Sequence, residues 1–182
     1  MTARRLFGLG AITLMLAGVL HVLIVWLIPY AITGAFIRGI SRQVGYNTVA
    51  RPPLPTDKSR SVVAPSPDLL YAVCIFDVGA GPVRISARPP HGYWSLALYD
   101  RNSDNFFRTN DSEVKGDTVE LILGLAPSDA NSKARFPAAA YVQTPHPVGV
   151  MLARILVLDP TDMKAALDAQ SSVGCRPLAG SP

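Results

Sequence analysis

The hydrophobic and polar positions divide the chain into one long apolar run and a series of shorter stretches with the pattern of β-strands. The apolar run covers residues 6–28, which are 23 residues without a formal charge. As an α-helix this run would extend about 34 Å, and a bilayer has a hydrocarbon core of about 30 Å. The pattern therefore predicts a transmembrane helix near the N-terminus.

Short strands separated by glycine- and proline-rich turns follow from residue 68 onward. Residues 69–78 are largely apolar, whereas residues 83–88 alternate between apolar and polar side chains, as a half-buried strand does. Further strands are predicted at residues 93–99, 106–109, 118–123, 139–144 and 148–158. Asp159 offers a helix cap, and Met163, Ala166 and Leu167 follow at helical spacing. The predicted fold is mainly β, an antiparallel sandwich-like domain with one N-terminal transmembrane helix and a C-terminal helix.

Three regions follow from this pattern. Residues 1–42 comprise the transmembrane anchor and an interfacial segment, because Pro29 is expected to end or kink the helix. Beyond it, apolar residues at helical spacing accompany Arg38 and Arg42, a pattern typical of a helix lying on a membrane surface. Residues 43–67 form a proline-rich tether with five prolines, and residues 68–182 form the β domain.

The charges beside the apolar run give an orientation. Arg4 and Arg5 precede the run, which favours a signal-anchor with its N-terminus in the cytoplasm. The alternative is a cleaved signal peptide, but the run is longer than the usual apolar region of about 7–15 residues. We expect a single-pass membrane protein whose β domain lies outside the cytoplasm, which in a bacterium places the chain in the inner membrane and the domain in the periplasm.

The net charge of +4 does not indicate nucleic-acid binding. Four of the 17 lysines and arginines lie in residues 1–42, which leaves 13 basic residues against all 13 acidic residues in the rest of the chain. A nucleic-acid-binding domain would carry its excess positive charge on the folded part. The sequence therefore predicts no nucleic-acid partner, while the oligomeric state stays open.

The metal-binding and redox residues are few. The three histidines form no cluster in the sequence, and the two cysteines, Cys74 and Cys175, lack metal-ligand spacing. We expect no metal and no cofactor. In a periplasmic domain the two cysteines are free to form a disulfide, but a buried, inert Cys74 thiol is equally consistent with the pattern.

Arg154 interrupts an apolar predicted strand and is the main candidate for an inward-pointing charge. A buried arginine needs either a carboxylate partner or a bound anion. Asp68, Asp77 and Asp100 are candidate partners, and a structural ion pair is favoured over an anion site.

Aromatic residues suggest a second kind of site. Four aromatic residues lie in predicted strands and are able to line a pocket for a sugar or apolar ligand, although ordinary core packing explains them as well: Tyr71, Tyr93, Trp94 and Tyr99. The segment from Asp100 to Asn105, followed by Asp111, partly matches a calcium-binding loop. A turn whose side chains cap their own backbone is the favoured reading.

Three runs together resemble a bacterial family of domains of unknown function. These runs are residues 65–71 (PSPDLLY), residues 92–95 (GYWS) with Asp100 and Asn105, and residues 153–157 (ARILV) leading into Asp159. The family's corresponding motifs are P-N-N-D-T-L-Y, then G-R-Y-Y-S with D-x-x-x-N, and a late G-R-T strand before an Asp-rich helix start. The resemblance implies a membrane-anchored domain encoded beside a second protein with a companion domain. Only Asp68 retains a strong polar group of the first motif.

The sequence favours a non-enzymatic protein of unknown biochemical activity, an accessory or subunit that interacts with a companion membrane protein. The alternatives are a periplasmic module that binds a glycan, lipid or small anion, and an envelope enzyme. An enzyme would require Asp68, Asp100 or His91 to converge in one pocket. No catalytic residue is assigned. The candidate ligand-binding residues are Asp68, Tyr71, Tyr93, Trp94, Asp100, Asn105 and Arg154.

Overall fold

One long helix and two packed β-sheets make up the part of the chain that the structure describes. The structure is a computed structural model, and it describes residues 3–59, 65–114, 116–126 and 135–178. The helices are α1 (Ala3–Val44) and α2 (Met163–Ser172), with a 3-10 turn at Pro160–Asp162 before α2. The strands are β1 (Val49–Ala50), β2 (Leu69–Asp77), β3 (Val83–Ala87), β4 (Trp94–Asp100), β5 (Asn105–Asn110), β6 (Val119–Gly124), β7 (Ala140–Gln143), β8 (Val148–Leu156) and β9 (Gly174–Pro177).

The strands form a five-stranded sheet of order β1-β2-β8-β4-β5 and a four-stranded sheet of order β7-β6-β3-β9. All neighbouring strands in these sheets are antiparallel except β6 and β7, which are parallel. The predicted fold class, a mainly β domain with a long N-terminal apolar helix and a C-terminal helix, is confirmed. The short strands β1 and β9 were not predicted, since each has only a few residues and pairs with a strand far away in sequence.

The hydrophobic core lies between the two sheets. Alternate residues of each strand point inward, as in β3, where Val83, Ile85 and Ala87 are buried and the residues between them are half-buried. Trp94 and Phe76 are the largest fully buried side chains of this core. The period-two pattern of β3 is therefore the pattern of a strand with one covered face.

A disulfide crosses the core between the two sheets. Cys74 in β2 and Cys175 in β9 have sulfur atoms 2.06 Å apart and are separated by 101 residues. Both cysteines are buried. The bond thus joins the C-terminal strand of the described chain to β2 of the opposite sheet.

The end of α1 covers part of the outer face of the five-stranded sheet. Ile37 is buried there against Val73, Ile75 and Val150. This contact explains why β2 reads as a continuous apolar run, because Ala72–Phe76 are buried on both faces of the strand.

The helix continues through Pro29, where the sequence predicted an end or a kink, and it ends only at Val44. The residues expected to lie along a membrane surface therefore pack partly on the sheet. Gly45 follows with a φ of +84°, the left-handed conformation that glycine adopts at helix ends, and its amide donates to Ser41 O at 2.9 Å. The Asn47 side chain then exchanges two hydrogen bonds with the backbone of Asp77.

Part of the segment predicted as a tether also packs on the domain, because β1 lies at the edge of the five-stranded sheet. Arg51 donates to the carbonyl oxygens of Gln170 at 3.2 Å, Ser171 at 3.3 Å and Val173 at 2.6 Å, at the C-terminus of α2. The Gln170 side chain donates in return to Pro52 O at 2.9 Å. A cation beside the backbone carbonyls at a helix C-terminus is favourable, so this contact fixes the segment in place.

The turn before α2 is held by Asp159. Its carboxylate accepts hydrogen bonds from the Thr161 amide at 2.8 Å and from the Thr161 hydroxyl at 2.9 Å. The backbone hydrogen bond, followed by the hydroxyl, lowers the pKa of Asp159. The predicted capping residue therefore stabilises the 3-10 turn that leads into the helix.

Candidate functional site

The outer face of the five-stranded sheet is divided into a covered half and an open half. α1 packs on the half that contains Ile75 and Val150, while Arg154 lies further along β8. Arg154 pairs with Tyr71 of β2 on one side and with Ser95 of β4 on the other. Residues directly opposite in a sheet share a face, so these three side chains form one row across three strands.

The core fixes the direction in which this row points. The strand neighbours of Arg154, Ala153 and Ile155, are fully buried in the core between the sheets. Successive side chains of a strand point to opposite faces, so Arg154 points away from the core. The sequence expectation of an inward-pointing arginine is therefore wrong, since this strand has apolar residues on both faces.

Arg154 makes its contact with a hydroxyl group. Its Nε donates to Ser95 Oγ at 3.2 Å, and the Tyr93 hydroxyl donates to the same oxygen at 3.4 Å. Ser95 is 7% exposed, so its oxygen is a buried anchor for the guanidinium group. The Tyr71 hydroxyl, on the other side of the row, accepts from the Ser66 amide at 3.0 Å.

The hydrogen bonds of this row occupy its hydroxyl oxygens as acceptors, while several of its O–H and N–H donors have no partner among the described residues. The two bonds to Ser95 Oγ occupy both lone pairs of a hydroxyl oxygen, which leaves its proton free to donate. Within the described residues, neither the Tyr71 hydroxyl proton nor the terminal nitrogens of Arg154 have a hydrogen-bond acceptor. The row therefore presents several donors and one positive charge to an incoming acceptor.

The carboxylate partner expected for Arg154 is not found in the described ranges, where the arginines with a carboxylate within 4.0 Å are Arg84 and Arg108. Asp68 is exposed just before β2, and its backbone oxygen accepts from the Val157 amide. Asp77 accepts from the Gly79 amide at 2.8 Å. The favoured structural ion pair of Arg154 is therefore wrong for the described residues.

Asp100 lies at the other end of β4 and holds the turn that follows. Its Oδ1 accepts from the amides of Asn102 at 2.9 Å and Asp104 at 3.1 Å. Its Oδ2 lies 3.2 Å from His146 Nδ1, and the Asp100 side chain is 5% exposed. The favoured reading of this segment, a turn that caps its own backbone, describes these contacts.

The residues that match a calcium-binding loop in sequence do not converge in the structure. Asp111 accepts from the Trp94 amide at 3.3 Å, at the opposite end of β4 from Asp100. The six-residue step between Trp94 and Asp100 spans about 20 Å in a strand. The first and last ligands of the template therefore cannot share one ion.

Trp94 and Asn105, two further candidate ligand-binding residues, make contacts that serve the fold. Trp94 is fully buried in the core, and Asn105 donates to Leu98 O at 3.1 Å and Phe107 O at 3.2 Å. Asn105 thus bridges the irregular pairing between β4 and β5. Asp68 and Asp100 lie near opposite ends of the five-stranded sheet, so they do not form one acid–base site.

A cleft of about 540 Å³ lies between α1 and the turn that follows β4. A hydrogen bond between the Thr33 and Ser103 hydroxyls joins the helix to this turn. The Trp26 and Tyr30 rings stand 5.5 Å apart in its wall. The cleft is lined by His21, Val22, Val25, Trp26, Pro29, Tyr30, Asn102 and Asp104.

The family model of a protein of unknown function, DUF1254, matches residues 46–177. The chain belongs to the DUF1254 family. The match begins just after α1 ends and includes β1 and β9, so both of the unpredicted strands belong to the DUF1254 domain. Comparison with curated proteins found no match.

Two solved structures resemble this DUF1254 chain in fold. The VPA0106 protein from Vibrio parahaemolyticus matches with a TM-score of 0.62 and 17% identity over 86% of this chain. An uncharacterized protein from Burkholderia cenocepacia matches with a TM-score of 0.50 and 14% identity, also over 86% of this chain. The chain spans 37% of the first of these proteins and 42% of the second.

Sequence reasoning missed two contacts of the DUF1254 domain. Ser95 is 59 residues from Arg154, and Asp100 Oδ2 lies 3.2 Å from Nδ1 of His146, which belongs to another loop. Both contacts depend on the pairing of β4 with β8, and no local sequence pattern predicts that pairing. The polar Ser95 in an otherwise apolar strand was the one available signal.

Proposed function

We propose that this DUF1254 chain is a single-pass protein of the bacterial inner membrane and an accessory subunit of a companion membrane protein. In this proposal α1 is the anchor, and the domain of residues 68–182, together with β1, lies in the periplasm. The activity of the assembly belongs to the companion, and the DUF1254 domain holds a fixed position beside it.

The observation that carries the proposal is the contact between α1 and the sheet. α1 is long and apolar enough to cross a membrane, a property that signal sequences share. Its N-terminal part exposes large apolar side chains, for example Phe7 at 82% and Leu14 at 76%, whereas Ile37 is 8% exposed on the sheet. A helix that continues from an exposed apolar segment into a packed domain supports a permanent anchor, because removing it would uncover Ile75 and Val150.

Two features support the periplasmic side. Arg4 and Arg5 precede the apolar segment, as basic residues do on the cytoplasmic side of a membrane. The Cys74–Cys175 disulfide suits an oxidising compartment, since reducing agents in the cytoplasm keep thiols reduced.

The companion is supported by the surface of α1 and by the solved neighbours. Gly10 and Gly18 have no neighbouring atom within 4 Å of the position a Cβ would occupy, so the helix is open to close approach there. Small residues permit such approach between membrane helices. In both solved neighbours the shared fold occupies less than half of the chain, so this fold occurs beside further protein structure.

The test is purification of the tagged full-length chain from its own membranes in mild detergent, followed by mass spectrometry of the associated proteins. We expect one stoichiometric membrane protein. Gly18→Leu should reduce its recovery, because the added side chain blocks close helix contact. The control is Leu16→Phe, since residues two apart do not share a helix face. Recovery of the chain alone, or equal recovery with both variants, would contradict the proposed helix contact.

A further inference from the structure

We propose that the row formed by Tyr71, Ser95 and Arg154 binds one oxyanion group, a carboxylate or a phosphate, of a small soluble molecule. This inference goes beyond the proposed accessory role and depends on neither the companion protein nor the membrane. It rests on the unpaired donors of the row and on the position of the row in the fold.

The guanidinium group of Arg154 is held ready for such a ligand. Its Nε is bound to the buried Ser95 hydroxyl, while its terminal nitrogens make no hydrogen bond within the described residues. A guanidinium group presents parallel N–H groups that match both oxygens of a carboxylate or phosphate. Because the Ser95 contact fixes the orientation of the group, little conformational entropy is lost when the anion binds.

Neighbouring groups extend the site. Ser95 and Tyr71 each retain a hydroxyl proton, because their oxygens already accept hydrogen bonds. Tyr93 is 44% exposed beside this row, and its ring offers an apolar face to the rest of the ligand. The site therefore fits an oxyanion carried on a ring, such as a sugar acid, as well as free phosphate.

Arg108 shows why Arg154 is the ligand-binding arginine of this face. Arg108 pairs with Ala97 on β4, whose outer face also carries Ser95, so both arginines point the same way. Its side chain is 69% exposed and has Glu113 at 3.6 Å, so its charge is already met by a carboxylate and by solvent. Arg154 is half-buried and has no carboxylate within 4.0 Å in the described ranges.

The location of the row favours a soluble ligand over a lipid headgroup. α1 meets the domain at the turn after Asp100, through Thr33 and Ser103. Ser95 lies five residues from Asp100 along β4, which corresponds to about 16 Å. Thr33 precedes Ile37 on α1, so of these two contact residues Thr33 is nearer the apolar N-terminal segment. The row lies most of a strand length from the contact with Ser103, although the helix end packs on Val73 nearby.

The test measures how fast phenylglyoxal modifies individual arginines of the full-length chain in neutral detergent. Modification is followed by mass spectrometry, with Arg108 as the internal control in the same sample. The probes are inorganic phosphate, glucuronate and glucose, the last being a ring without an oxyanion. We expect phosphate and glucuronate to slow modification of Arg154 several-fold in a saturable way, with no effect on Arg108 and no effect of glucose.

The comparison of the two anions identifies the ligand class. Saturation at lower glucuronate than phosphate assigns a sugar acid, and the reverse order assigns phosphate. Equal slowing of Arg154 and Arg108, no slowing, or an Arg154 that never reacts would overturn the proposal. Ser95→Ala should weaken the protection by either anion while circular dichroism stays unchanged, since the variant removes one donor and the anchor of the guanidinium group.

Discussion

Gly149, at the start of β8, is a single residue on which strand packing depends. A Cβ added there would lie 2.3 Å from Phe76 Cζ and 2.4 Å from Tyr99 O. Both distances are far below van der Waals contact distance. One of the two atoms belongs to the backbone, so the strands would have to move apart. Glycine is required here by close approach of neighbours, which a sequence shows only as a glycine in an apolar strand.

We expect Gly149→Ala to destabilise the domain by about 1–3 kcal/mol or more, because overpacking a core forces side chains and backbone to shift. The measurement is the thermal unfolding midpoint of the detergent-solubilised chain. Gly124→Ala is the control, since its Cβ would lie at an ordinary 3.6 Å from Ala126 O. Equal midpoints for the two variants would show that the strands relax around the added methyl group.

At the scale of elements, the contact between α1 and the five-stranded sheet decides where the end of α1 lies on the domain. Ile37 is the buried residue of α1 in this contact, with Phe36 and Ile40 packed beside it. We expect Ile37→Ala to weaken docking of the helix end by about 2–3 kcal/mol, in the range for large-to-small substitutions at buried sites.

Hydrogen exchange of the backbone amides at residues 37–44 and 73–75 measures this docking. Ile37→Ala should accelerate exchange in both segments and leave the centre of the core unchanged, because the two sheets stay joined without the helix. Ile32→Ala is the control, since Ile32 is 61% exposed on the same helix. If the two variants exchange alike, the helix end does not depend on this contact.

The same contact shows what the sequence allowed one to predict at this scale. The apolar run of residues 69–78 and the alternation of residues 83–88 identified two strands correctly. They did not reveal that α1 covers the first of these strands, although a strand that is apolar on both faces requires a cover on each side. Pro29 was expected to end or kink the helix, and the helix does not end there, because proline is tolerated inside apolar helices where other groups satisfy the backbone.

At the scale of the whole molecule, the candidate site could not be predicted in full, because it depends on the order of the strands in the sheet. Arg154 and Tyr71 were recognised by type, but the row also needs Ser95, which lies on a strand that pairs with β8. A shift of one residue in that pairing would put Ser95 on the core side. The same holds for Asp100 and Asp111, which are near in sequence but separated by the length of the hairpin.

With α1 as the proposed anchor, its contacts also predict which end of the sandwich faces the membrane. The polar side chains of Asn102 and Asp104 line the cleft with Trp26 and Tyr30. Polar side chains of a turn do not enter hydrocarbon, and aromatic residues favour the membrane interface. The hydrocarbon should therefore end near Val25, which leaves 20 residues from Leu6, or about 30 Å of helix, matching the bilayer core.

This orientation predicts that the two ends of the β4–β5 hairpin differ in their distance from lipid headgroups. The turn at residues 101–104 should lie at the membrane surface, whereas residues 111–113 should lie about 20 Å further out, one strand length away.

The variants are Arg101→Cys and Ser112→Cys, each labelled with an environment-sensitive fluorophore under non-reducing conditions in vesicles that contain headgroup spin-labelled lipid. Both positions are exposed, and the Cys74–Cys175 disulfide stays intact, so the unmutated chain serves as the unlabelled control. We expect strong quenching at residue 101 and little at residue 112, because the spin label acts only over a short range. The reverse order, or equal quenching at both positions, would mean that the domain meets the membrane through another face and that the cleft beside α1 is not at the headgroups.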